Sequence, residues 1–192
     1  MKFAAALFLT LAAAGTLLFT GCYTRTLIPE EVLQLPTHVQ VRTAYNLWYR
    51  TPDTLTPENI QQGKIIPFGT DVQIESMTDS QIVFRANGEL FTLNYDQAKT
   101  TIPMEDFARE LFTTALAVET ASGATPAQFE KMRRGVIEKG MTRKQVLITY
   151  GRPSRIRTPN ILSDTWIYWL DRVKSKRVIF KNDKVLTELT LD

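Results

Sequence analysis

Gly140-Met141-Thr142-Arg143-Lys144-Gln145-Val146 and, four residues on, Tyr150-Gly151-Arg152-Pro153 decide how this chain is read. Thr142 is a good helix N-cap, and Gln145 three residues later completes a capping box, so two orphan backbone donors are satisfied reciprocally. Val146, Leu147 and Tyr150 then fall on one face of a helix of about two turns. Gly151 is placed to end that helix as its C′ residue, and the Pro153 ring forbids continuation.

Downstream, Trp166, Tyr168 and Leu170 alternate with Ile167 and Trp169, the period of a strand with one buried face. Two further strands are predicted over 176–181 and 184–191, joined at Asn182-Asp183. Upstream, 126–138 reads as a helix whose apolar stripe is Phe129, Met132, Val136 and Ile137. Residues 126–192 therefore predict an ααβββ domain with a three-stranded antiparallel sheet.

Gly140-Met141-Thr142, Gln145-Val146, Gly151-x-Pro153, Trp166-x-Tyr168 and the closing Val178-Ile179-Phe180 together resemble the SmpA/OmlA family, which includes the BamE lipoproteins. The resemblance covers about residues 130 to 190, and implies an outer-membrane lipoprotein with an ααβββ fold. It also implies an accessory role in envelope biogenesis, as in the machine that inserts β-barrels into the outer membrane. The motif residues, Met141, Gln145, Val146 and Pro153 among them, have a structural account as well: Gly140 and Gly151 serve backbone geometry, Thr142 caps, and Trp166 and Tyr168 fill a small core. Candidates for a solvent-facing surface that binds protein or anionic phospholipid are Arg152, Arg155 and Arg157 in the following loop. Ile167, Trp169 and Arg172 on one strand edge complete the set.

The N-terminal half reads differently. Residues 38–102 predict a small β-rich domain, SH3-like or sandwich, with Val39, Val41 and Thr43 alternating against Gln40, Arg42 and Ala44. Val72, Ile74 and Met77 are its inward candidates on a later strand, and Asn87-Gly88 marks a hairpin turn. A helix over 103–120 with Phe107, Leu111, Ala115 and Val118 on one face, then Ser122-Gly123-Ala124-Thr125, links this domain to the next. The fold class expected is α+β.

At the start of the chain, Lys2 precedes an uncharged, Ala- and Leu-rich run over 3–21, the profile of a secretory signal. Phe19-Thr20-Gly21-Cys22 resembles a lipobox, in which the cysteine thiol receives a lipid before cleavage leaves it as the first residue. Cys22 is the only cysteine, so a disulfide does not compete for it. Residues 22–37 are expected to be a lipidated tether. Tyr23 in place of an inner-membrane retention Asp points to the outer membrane, facing the periplasm.

Charge is divided along the chain. Residues 22–125 hold 7 Lys/Arg against 13 Asp/Glu, whereas 126–192 hold 15 against 7. The basic half favours acidic partners or anionic headgroups, and export conflicts with a nucleic-acid partner. An enzyme is not expected: one histidine, His38, leaves little for a catalytic triad or a zinc site, and no cofactor beyond the lipid on Cys22 is implied. The expected function is a non-enzymatic accessory or scaffold. The alternative is a cell-wall or peptide-binding envelope module without a role in barrel assembly.

Overall fold

The computed structural model describes residues 24–36 and 38–191. The signal segment, Cys22 and part of the tether lie outside the described residues. Among the described residues no helix is long and apolar enough to cross a membrane.

The fold is α+β with antiparallel sheets. Its elements are β1 (Thr26–Leu27), α1 (Pro29–Leu33), β2 (Val41–Thr43), β3 (Leu47–Tyr49), β4 (Lys64–Ile66), β5 (Asp71–Thr78), β6 (Gln81–Ala86) and β7 (Glu89–Asn94). They continue with α2 (Gln97–Thr100), α3 (Met104–Leu111), β8 (Phe112–Thr113) and α4 (Ala117–Thr120). The basic half supplies α5 (Pro126–Arg133), α6 (Arg143–Tyr150), β9 (Thr165–Trp169), β10 (Ser175–Lys181) and β11 (Lys184–Leu191).

The first sheet runs β7-β6-β5-β2-β8, with β1 pairing the far end of β5; β3 and β4 form a separate two-stranded ribbon. The Asn87-Gly88 turn is as expected, both residues taking the positive φ that a tight hairpin of this twist requires. Val72 and Met77 are buried although five residues apart, an odd spacing for one face. A bulge between Ile74 and Ser76 inserts the extra residue and restores the inward face. His38 and Val39 do not begin a strand: His38 sits at φ 67 in a turn and Val39 is exposed, so regular pairing starts at Val41.

The helix expected over 103–120 is two helices. The chain extends at Phe112-Thr113 to pair with β2, which closes the sheet and buries Phe112. Val118 consequently lies on the solvent side of α4 rather than on a continuous stripe. The next helix also stops early, at Arg133, because Gly135 adopts φ 70 against the Trp48 ring; Val136 then points to solvent while Ile137 stays buried.

Two cores result. One joins Leu47, Met77, Phe84, Phe91, Leu93, Phe107 and Leu111; the other joins Met132, Met141, Val146, Tyr150, Trp166, Val178 and Phe180. Phe68, from the loop after β4, belongs to the second core and meets Phe129 edge to face, so the acidic half reaches across the expected boundary at 122–126. That reach explains α6. Gln145, Val146, Ile148, Thr149 and Tyr150 are all buried, because β9–β11 cover one side of the helix and the N-terminal half the other.

Candidate functional site

The capping box at Thr142 forms as predicted: the Thr142 hydroxyl accepts from Gln145 N–H at 3.2 Å, and Gln145 Oε1 accepts from Thr142 N–H at 2.8 Å. Arg143, beside it, is a hub that the motif alone does not reveal. Its guanidinium donates to Asp164 and Asp183 at 2.9 and 2.8 Å and to the Ser163 carbonyl at 2.6 Å. It also lies 4.4 Å from the Phe180 ring centroid. One side chain therefore ties the helix start to the beginning of β9 and to the neighbouring β10–β11 turn. Met141 and Val146 are fully buried, and Trp166 is buried with its indole N–H donating to the Ile161 carbonyl.

Three tyrosines near the junction of the halves have phenol pKa values raised chiefly by burial. Tyr168 donates to the Gly151 carbonyl at 3.1 Å, and Tyr150 donates to Glu188 Oε2 at 3.2 Å while Lys176 donates to the Tyr150 oxygen at 2.7 Å. Tyr45 is pushed up by burial and then by the neighbouring Glu110 carboxylate. These hydroxyls stay protonated, and those of Tyr150 and Tyr168 act as fixed donors rather than as bases.

The seam itself is polar. Asn46 is buried; its amide donates to the Met132 and Thr149 carbonyls at 2.7 and 3.0 Å and accepts from Phe68 N–H at 2.9 Å. Asn59 donates to the Tyr150 carbonyl at 3.0 Å. The last carbonyls of α5 and α6, orphaned in any isolated helix, are thus capped from the other half of the chain.

The six residues expected to form a solvent-facing surface do not stay together. Arg155 is only 16 % exposed and pairs with Glu110 at 2.6 Å, and Arg152 stands 3.5 Å from the same carboxylate. Both therefore clamp the C-terminal loop onto α3; the sequence could not show an acid 45 residues upstream in contact. Ile167 is half-buried, with its backbone bonded to Ser154 and Thr158. Arg157 lies 5.4 Å over the Trp169 ring and remains exposed. Arg172, also exposed, lines a groove of about 660 Å³ with Trp48, Ile60 and Val173 between the two halves.

Strand register defines the surface better than the motif does. Trp166, Tyr168, Val178, Phe180 and Val185 face the helices. The opposite face carries Ile167–Arg177–Leu189 in one row and Trp169–Ser175–Leu191 in the next, with Ile179 beside Thr187 and Lys181 beside Lys184 at the turn. Leu186, Leu189 and Leu191 are exposed. Every acid between Arg157 and Leu191 is engaged elsewhere: Asp164 and Asp183 by Arg143, Glu188 by Lys176, and Asp171 by its own turn. The Lys174 and Val173 N–H groups hold the Asp171 carboxyl below its usual pKa. Among the described residues Arg177, Lys181 and Lys184 have no acid partner, so the face is apolar and carries only positive charge. No family model, curated protein or solved structure matches the chain.

Proposed function

We propose that the chain is a non-enzymatic outer-membrane lipoprotein, tethered through Cys22, whose C-terminal unit works as an accessory or scaffold in envelope biogenesis. The observation that carries the reading is the outer face of β9–β11, where Arg177, Lys181 and Lys184 lie unpaired among Ile179, Leu189 and Leu191. Such a face suits acidic protein surfaces and anionic headgroups, each nearby cation being worth about 1 kcal/mol at an anionic membrane. In this reading α5, α6 and β9–β11 form the ααβββ unit of the SmpA/OmlA lipoproteins, and Arg143, Gly151 and Asn46 keep its face rigid.

Vesicle co-sedimentation tests it on the chain from residue 22 onward, with the leader removed and Cys22→Ser in place of the anchor. This chain is expected to pellet with phosphatidylglycerol-containing vesicles and not with phosphatidylcholine alone. Binding should fall steeply toward about 0.5 M salt. Reversing Arg177, Lys181 and Lys184 to Glu should weaken it by about 100-fold or more. Binding unaffected by salt and by charge reversal contradicts the reading.

A second reading has one supporting observation. A groove of about 820 Å³ lies between α1 and β5–β6, lined by Gln40, Gln73, Arg85 and Asn87 among others. It suits a polar cell-wall fragment, and saturable binding of soluble muropeptides there would favour the alternative module.

A further inference from the structure

β11 is the outermost strand of its sheet, eight residues long, and β10 covers only one of its edges. The other edge is used at its start alone: Gly140 N–H donates to the Val185 carbonyl and Val185 N–H to the Met141 carbonyl, both at 2.8 Å. This pairing is antiparallel, so its continuation along Leu186–Leu191 would have to come from residues before Gly140, and these instead turn at Glu138–Met141, where Met141 N–H donates to the Glu138 carbonyl. Among the described residues no other backbone group bonds Leu186–Leu191 from outside. Edge strands are ordinarily blunted by proline, by lysine along the strand, or by a covering loop. From Val185 to Leu191 the sequence Val-Leu-Thr-Glu-Leu-Thr-Leu has no proline and no lysine, and its one charge, Glu188, turns inward to Lys176 and Tyr150.

We propose that this edge takes an extended segment of a partner protein as a fourth strand, one whose side chains alternate between acidic and apolar. This rests on the outer face of β9–β11 being the partner surface. Charge selects the occupant: an added strand would lay alternate side chains beside Leu189 and Leu191, within reach of Arg177, Lys181 and Lys184. Acidic groups are complementary there. A second copy of the chain would bring the same cations against their like, which disfavours edge-to-edge pairing with itself. A lipid headgroup can neutralise the cations but leaves the backbone groups of the edge unpaired, so a strand satisfies more of what the surface presents.

The probe is an end-blocked eight-residue peptide alternating valine and glutamate, added at about 1 mM to the full chain in mild detergent, with amide hydrogen exchange as readout. Strand addition predicts slowed exchange at those amides of 186–191 that do not bond β10, and a molecule that stays monomeric. A peptide with proline at alternate positions should protect at least about tenfold less. Arg177→Glu with Lys181→Glu, both surface changes that leave the fold intact, should weaken the parent peptide by about tenfold. Unchanged exchange overturns the proposal, as does equal protection by the proline peptide or by phosphatidylglycerol vesicles without peptide. Salt-sensitive vesicle binding surviving such a failure would show that the face is used while its edge is not.

Discussion

Replacing Asn46 by Leu is expected to destabilise the protein by about 3–5 kcal/mol, although the two side chains are similar in size. Asn46 is wholly buried and serves three backbone groups from three separate segments: it donates to Met132 and Thr149 and accepts from Phe68. Leu leaves the Thr149 carbonyl and the Phe68 N–H without water and without a partner, at about 1–3 kcal/mol each before relaxation, while the Met132 carbonyl keeps only its bond from Gly135 N–H. Asn46→Asp, closer still in shape, should be no better. Its second oxygen would face two carbonyl oxygens in place of an N–H₂ group, and its charge would be buried unpaired. In denaturant unfolding both variants should shift the midpoint strongly, whereas loss of under about 1 kcal/mol in either would mean that the seam is not the structural tie described here.

Gly151→Ala is expected to cost a similar amount, for a different reason. Gly151 closes α6 at φ 76, ψ −169, a backbone region essentially restricted to glycine rather than the left-handed helical conformation of the usual C′ residue. Side-chain-bearing residues pay about 1–3 kcal/mol to sit in such a region. A Cβ there would also stand 2.7 Å from the Tyr45 ring and 2.9 Å from Asn59 Nδ2. Tyr45 packs against the first core and Asn59 is committed to the Tyr150 carbonyl, so making room for a Cβ disturbs the junction. A melting temperature lower by about 10 °C is the expected result, on the usual scale of about 2–4 °C per kcal/mol for a chain of this size. A shift within about 2 °C would contradict the geometry.

What was legible in the sequence was local. The Thr142/Gln145 capping box, the Asn87-Gly88 and Asn182-Asp183 turns and the alternation of β9 depend on residues a few positions apart, and each formed where it was read. Where distant segments decide, the reading failed. Phe112-Thr113 leaves its helical pattern because β2 offers a sheet edge, and Arg155 leaves solvent because Glu110 offers a carboxylate. Asn46, an isolated polar residue between strands, gave no signal of its buried role. The outer face of the sheet was half legible: alternation placed Trp169 opposite Trp166, whereas Arg177, Lys181 and Lys184 emerge only when register shows which side of the sheet they share and which acids are already taken.

These features suit the tethered module proposed above. The buried hydroxyls are spent as donors, the arginines nearest the motif as clamps, and the surface left over is an apolar, cationic sheet face. Such a face gains most from being held beside a membrane, because tethering converts a weak encounter into a local one. The most direct measurement is therefore on Cys22, by membrane fractionation joined to mass spectrometry of the N-terminus. The reading predicts that the chain starts at an acylated Cys22 in the outer membrane and that the Cys22→Ser variant is lost from the outer membrane; an unmodified Cys22 in a membrane-free protein, or a Ser variant that stays in the outer membrane, would contradict it.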